Sequence, residues 1–266
     1  REMNLAVFRR EPLPHVFFQP RFEPWVAWHR QFDSLPAEIR DLSLTEIYDH
    51  VDASMRTVHY YSGQPDPIES AWADDVKVTV EQTEDRRRIR FDTPYGPLFQ
   101  GEHFTVDRTW RTVEFPGKSA DDLPRLRWLL QRRALRFNAE KYRRAKAYVG
   151  ERGEGHFWVP KSPYFALAQQ WFGYSDFIYA LVDAPDQVQD LMRVIDDSYD
   201  ALYEQLCACD DVKILNFGEN VAEAYLSPAY YQEYVAPWYE KRVGQLREAK
   251  ILTHVHIDGN FRSLLG

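Results

Sequence analysis

Between residues 155 and 258 the chain alternates short apolar runs with amphipathic segments of helical period, and this succession constrains the fold more than any other feature. Gly155-His-Phe-Trp-Val-Pro160 reads as a buried strand. Further on, Asp183-Ala-Pro-Asp186 carries a capping Asp and a first-turn Pro, and Val188, Leu191, Met192, Ile195, Tyr199, Leu202 and Leu206 keep the spacing of one long helix. Val212-Lys-Ile-Leu-Asn-Phe217 reads as a second strand, Ser227-Pro228 opens a helix running to about Glu248, and the His-Val-His segment after Ile251 reads as a third strand. Strands joined by crossovers of this length must pair in parallel. A (β/α) barrel or a doubly wound sheet is therefore expected. No glycine-rich phosphate loop follows any strand, which counts against a nucleotide-binding sheet.

The last strand carries the chemistry. In Ile251-Leu-Thr-His-Val-His-Ile-Asp-Gly-Asn260, strand alternation turns His254, His256 and Asp258 to one face and Thr253, Val255 and Ile257 to the other. Gly259-Asn260 then turns the chain, so Asp258 stands at the strand's C-terminal tip, where parallel α/β folds hold their active sites. His256 and Asp258 read either as a metal-ligating or acid–base pair or as a hydrogen-bonded brace of the strand end. His254, one layer deeper, reads as a core histidine. Glu219, between Gly218 and Asn220 after the preceding strand, is expected at the same rim as acid, base or ligand, whereas Glu223 reads as solvated. Lys161-Ser-Pro163 and Leu226-Ser-Pro228 share one helix-entry chemistry, a capping Ser before a first-turn Pro, and both should lie on that rim.

The N-terminal half is organised differently. Pro14-His-Val-Phe-Phe-Gln-Pro20 reads as a first strand, and Arg21 after it is placed either to hold a substrate carboxylate or phosphate or to make a structural ion pair. The aromatics Trp25, Trp28, Tyr60 and Tyr61 either line a wide pocket for a planar ligand or simply pack. Val76-Lys-Val-Thr-Val-Glu-Gln82 alternates, Thr83-Glu-Asp-Arg86 turns and Arg88-Ile-Arg-Phe-Asp-Thr93 answers, so residues 76–109 read as a β-hairpin insertion within a single domain spanning 1–266. Residues 120–136 and 139–149 read as helices.

At 266 residues, 44% of them hydrophobic and 15% aromatic, the chain can bury a large core. A net charge of −8, with basic clusters that are short and mixed with acids, argues against nucleic acid as a partner. No run approaches the roughly 18 apolar residues of a membrane span, and the charged start is unlike a signal peptide, so a cytoplasmic protein is expected. Cys207 and Cys209, the only cysteines, are too close for an easy disulfide and lack a second pair for zinc. They read as structural.

Taken in order, Ser162-Pro-Tyr-Phe-Ala-Leu, Trp171-Phe-Gly-Tyr-Ser-Asp-Phe, Leu181-Val-Asp-Ala-Pro-Asp-Gln-Val, Phe217-Gly-Glu-Asn-Val, Leu226-Ser-Pro-Ala-Tyr-Tyr-Gln-Glu-Tyr-Val-Ala-Pro237 and Val255-His-Ile-Asp-Gly-Asn260 resemble the uroporphyrinogen decarboxylase superfamily across most of the chain. The resemblance implies a (β/α)8 barrel of the TIM type, incomplete at its C-terminus because such barrels continue past the last motif. It also implies a small-molecule substrate and one of two activities: decarboxylation of a porphyrinogen or other polycarboxylate, or methyl transfer with a corrinoid (cobalamin) protein as partner. The Arg-Gln-Ala-Gly-Arg and Phe-Ser-Asp-Ile-Leu segments of true decarboxylases have no close match, Phe18-Gln-Pro-Arg-Phe22 being a loose counterpart of the first, which favours the methyltransferase-like branch. That branch implies zinc held by a His-x-Cys segment. Here the Cys position is Asp258, so the ligand set becomes His256 and Asp258 with Glu219, and a harder site results. A barrel that binds without catalysis is the third expectation.

Overall fold

Among the described residues three separate sheets carry the architecture. The structure is a computed structural model that describes residues 1–266 apart from Tyr60, Ala224, Leu265 and Gly266. Helices α1 (Glu2–Arg9), α2 (Phe22–Gln31) and α3 (Leu44–His50) precede strands β1 (Ile68–Trp72), β2 (Lys77–Gln82), β3 (Arg86–Asp92), β4 (Leu98–Phe104) and β5 (Trp110–Glu114). Helix α4 (Leu123–Leu130), strand β6 (Arg133–Phe137), helix α5 (Ala139–Val149) and strand β7 (Phe157–Val159) lead to α6 (Pro163–Ala166), α7 (Tyr174–Asp183), α8 (Pro185–Asp197) and α9 (Asp200–Cys207). Strand β8 (Ile214–Phe217), helices α10 (Pro228–Tyr230) and α11 (Ala236–Glu248) and strand β9 (Leu252–Val255) follow. The chain is thus mixed α/β. Among the described residues no helix is long and apolar enough to cross a membrane.

The expected parallel unit is present. β7 pairs in parallel with β8, and β8 with β9. A bridge between Thr57 and His156 adds residues near 57 as a further parallel neighbour of β7. One face of this sheet is apolar and lies under helices: Phe157 meets Tyr142 of α5, and Phe217 meets Trp238 and Tyr239 of α11, at ring separations of 5.2, 5.5 and 5.4 Å. Every residue of β8 is buried. Each buried Ile, Leu or Phe of this kind contributes about 1.5–3 kcal/mol. Arg242 of α11, also buried, reaches Asp196 of α8 at 2.5 Å and Asp200 of α9 at 2.7 Å and stitches the helical layer together.

Several sequence expectations need correction. No strand forms between Pro14 and Pro20; Val16 and Phe18 are exposed, and the Phe18 carbonyl only accepts from the Ser54 N–H at 2.9 Å. The insertion is larger than a hairpin, a four-stranded antiparallel sheet in the order β2-β3-β4-β5 that ends at Glu114. Residues 133–137 are not helical. They form β6, because β1 offers an edge with which they pair antiparallel from Trp72–Arg133 to Ile68–Phe137. The long helix expected through Leu206 breaks at Ser198, whose hydroxyl donates to the Ile195 carbonyl at 2.6 Å. The helix opened by Ser227-Pro228 contains a π-helical turn over Tyr231–Val235, directly before Pro237, whose missing N–H a regular ladder cannot accommodate.

Candidate functional site

Parallel pairing brings the C-terminal ends of β7, β8 and β9 to one edge, and the polar residues of the rim leave from those ends. β7 continues into Lys161 and Ser162, β8 into Gly218 and Glu219, and β9 into His256 and Asp258. Backbone bonds hold the three exits together: the His256 N–H donates to the Phe217 carbonyl at 2.8 Å and the Asn220 N–H to the His256 carbonyl at 3.1 Å. Gly218 is required where it stands, since a Cβ there would lie 2.7 Å from the Trp158 ring.

Glu219 is buried and its carboxylate is turned to Ser162, whose backbone N–H donates to one oxygen at 2.6 Å and whose hydroxyl donates to the other at 2.9 Å. Burial raises the carboxyl to about 7, against the opposing effects of the Ser162 donors and the Lys161 charge. The Glu219 carbonyl accepts from Gln169 at 2.9 Å. Lys161 donates from Nζ to the Gly218 carbonyl; burial lowers its pKa, while the charges of Glu219 and Asp258 pull it back up. Lys161 thus lies within electrostatic reach of both carboxylates, a role the sequence did not signal beyond its place before a Ser-Pro helix entry. His256 Nε2 meets Asp258 Oδ1 at 2.8 Å, both partly open to solvent.

Beneath this rim the second face of the parallel sheet is polar. Register aligns Trp158, Asn216 and His254 across β7, β8 and β9. His156, the residue before β7, lies with its ring 4.5 Å from that of His254, and His59 packs edge-on to Trp158 at 5.4 Å. Phe8 of α1 covers His254 at 5.5 Å. Burial pushes His254 down to about 4, helped by the charges of Arg56 and His256, and pushes His156 and His59 down as well. The imidazoles are therefore neutral near pH 7. Both amide atoms of Asn216, Nε2 of His156 and of His254, and Nδ1 of His59 are buried without a hydrogen-bond partner. His254 is expected as a core histidine but is only partly buried, and its buried Nε2 is not satisfied; His59, His156 and Asn216 drew no notice in the sequence because only strand register makes them neighbours.

The substrate-binding expectations fall elsewhere. Arg21 is the exposed residue at the start of α2, and its charge bears on the buried Glu23 carboxylate. Trp25 packs within α2 against the tilted rings of Phe22 and His29. Tyr60 lies outside the described residues. Tyr61 reaches the Asp107 carbonyl at 3.5 Å, and Trp28 packs on Phe32. Cys207 lies on α9 against the Gln245 carbonyl.

Glu219 has both oxygens engaged by Ser162, and among the described residues no three His, Cys, Asp or Glu side chains are gathered to hold a metal. So engaged, Glu219 does not join His256 and Asp258 in a three-ligand set. What the rim offers instead is a hydrogen-bonded imidazole–carboxylate pair beside a half-buried ammonium, the equipment of proton transfer near an anionic substrate. No family model, curated protein or solved structure matches the chain.

Proposed function

We propose that the chain is a (β/α)-barrel enzyme related to the uroporphyrinogen decarboxylase superfamily, and that it decarboxylates a carboxylate-bearing small molecule. The observation that carries this reading is the convergence of Lys161 and the His256–Asp258 pair at the C-terminal edge of the parallel sheet. Lys161, desolvated and next to carboxylates of the protein, suits a substrate carboxylate as a point-charge partner. Asp258, 2.8 Å from Nε2, orients His256. In the reaction the bond to the departing carboxylate breaks, carbon dioxide leaves, and the electron pair stays on the substrate carbon, which takes a proton from His256. Such a carbanion forms only where the substrate itself delocalises the pair, as a pyrrole or an adjacent carbonyl does. Glu219 acts as a positioning residue through Ser162 and Lys161. The polar face beneath, with its unpartnered Asn216 and histidine atoms, supports a site that receives a polar ligand rather than a closed apolar core.

Methyl transfer with a corrinoid protein is the second reading, favoured by the juxtaposition of His256 and Asp258 at the positions the resemblance gives to a metal pair. The test is carbon dioxide release from porphyrinogens and simpler conjugated polycarboxylates by wild-type protein, Lys161→Met and His256→Asn. Release that falls about 100-fold or more in His256→Asn is expected for a lost proton donor. Demethylation of methylcobalamin without carbon dioxide release would replace the leading reading by the second, and neither activity would leave a barrel that binds only.

A further inference from the structure

A cavity of about 420 Å³ lies between the four-stranded sheet, the β1–β6 pair and the helical turn that ends at Trp171. Its aromatic wall is built by Trp72, Phe91 and Trp171, packed mutually at ring separations of 5.6, 6.4 and 6.5 Å. Arg133 of β6 enters it with the guanidinium 5.8 Å from the Trp171 ring and Nε donating to the Ser70 hydroxyl at 3.0 Å. Among the described residues no Asp or Glu lines the cavity. Its sequence neighbours are matched, Arg132 with Asp75 at 2.7 Å and Arg136 with Glu69 at 3.6 Å, whereas among the described residues Arg133 has no carboxylate partner. Burial lowers the Arg133 pKa, with Tyr199 opposing the shift.

We propose that this cavity is a binding site for a small planar anion, a carboxylate carried on an aromatic or conjugated ring. The sign follows from the lining, one cation and no acid. The shape follows from the partners: a guanidinium fork receives a carboxylate through two parallel hydrogen bonds, and tryptophan faces hold a flat ring. Gln100 and Thr112 of the four-stranded sheet add polar groups to the lining. A bound carboxylate would supply the counter-charge that Arg133 lacks. The site stands on the cavity alone and is independent of the reaction assigned to the rim.

Calorimetric titration with 2-naphthoate and with its uncharged isostere 2-naphthamide tests this in wild type, Arg133→Met and Arg133→Lys. Wild type should bind one equivalent of naphthoate about tenfold or more tighter than the amide, a gap of about 1.4 kcal/mol. Arg133→Met should lose that preference, and Arg133→Lys, which keeps the charge and the β1–β6 pairing without the fork, should retain part of it. Circular dichroism and the thermal midpoint establish that each variant is folded. Equal affinity for the two probes, an unchanged preference in Arg133→Met, or no binding of naphthoate by wild type at millimolar concentration would each overturn the assignment.

Discussion

Glu219 receives both the backbone N–H and the hydroxyl of Ser162, at 2.6 and 2.9 Å, so one buried carboxylate ties the exit of β8 to the first turn of α6. The same hydroxyl caps α6 by accepting from the Phe165 N–H at 3.5 Å. Ser162→Ala removes the cap and leaves a buried carboxylate oxygen without its donor. We expect a loss of about 2–3 kcal/mol, with Ser162→Thr retaining most of the stability. Urea midpoints at constant slope measure it. A loss below about 0.5 kcal/mol, the range of ordinary surface substitutions, would mean that the tie contributes little.

Two kinds of buried group tilt stability with pH in opposite senses. Glu219, raised from 4.5 to about 7, keeps in the folded state a proton that the unfolded chain releases; its contribution is full below pH 4.5 and is lost as pH rises through about 7. His254, lowered from 6.5 to about 4, does the reverse, contributing fully above pH 6.5 and losing that contribution as pH falls through about 4. His156 acts in the same direction as His254. Each of the two valued shifts is worth about 3 kcal/mol. Between pH 4.5 and 6.5 the slopes oppose, and Glu219→Gln should expose a steeper loss of stability on acidification through that window. Identical wild-type and variant slopes in denaturant titrations would show that Glu219 titrates as an ordinary carboxylate.

Elements with strong periodicity, β8, α8 and α11, were legible because burial on one face leaves a pattern that tertiary contacts did not override. Glu219, His256 and Asp258 were legible as rim residues because parallel connections force the strand ends to one edge. Lys161 was not, since a lysine before Ser-Pro looks like ordinary helix entry until burial and two carboxylates are seen around it. The row Trp158–Asn216–His254 depends on strand register, which no local pattern encodes. β6 was lost to the helical composition of Arg133-Ala-Leu-Arg-Phe137, and only the free edge of β1 decides its conformation.

Arg242 provides a test of the helical layer. It is 1% exposed, donates to Asp196 and Asp200 and lies 4.6 Å over the Tyr203 ring. Trp238 adds a bond from Nε1 to Asp196 at 2.9 Å. Arg242→Ala leaves Asp196 without its guanidinium and opens space between α8, α9 and α11, at an expected cost of about 3–5 kcal/mol. Asp200→Asn, at a carboxylate that is itself half exposed, should cost under about 1 kcal/mol. Thermal midpoints rank the two, and comparable losses would show that Asp200 rather than Asp196 anchors the arginine.

Asn216 poses the sharpest question about the polar face, because its side chain is fully buried on the face opposite Phe217 and neither amide atom has a partner. A polar group in that state costs about 1–3 kcal/mol relative to an apolar one of the same shape. Asn216→Leu is nearly isosteric and removes the cost, so we expect the thermal midpoint to rise. If the face beneath the rim receives a substrate, the same variant should lose the carbon dioxide-releasing activity proposed for the rim, trading function for stability at one residue. A fall in the midpoint would show instead that Asn216 is satisfied within the fold and that the polar row braces the sheet.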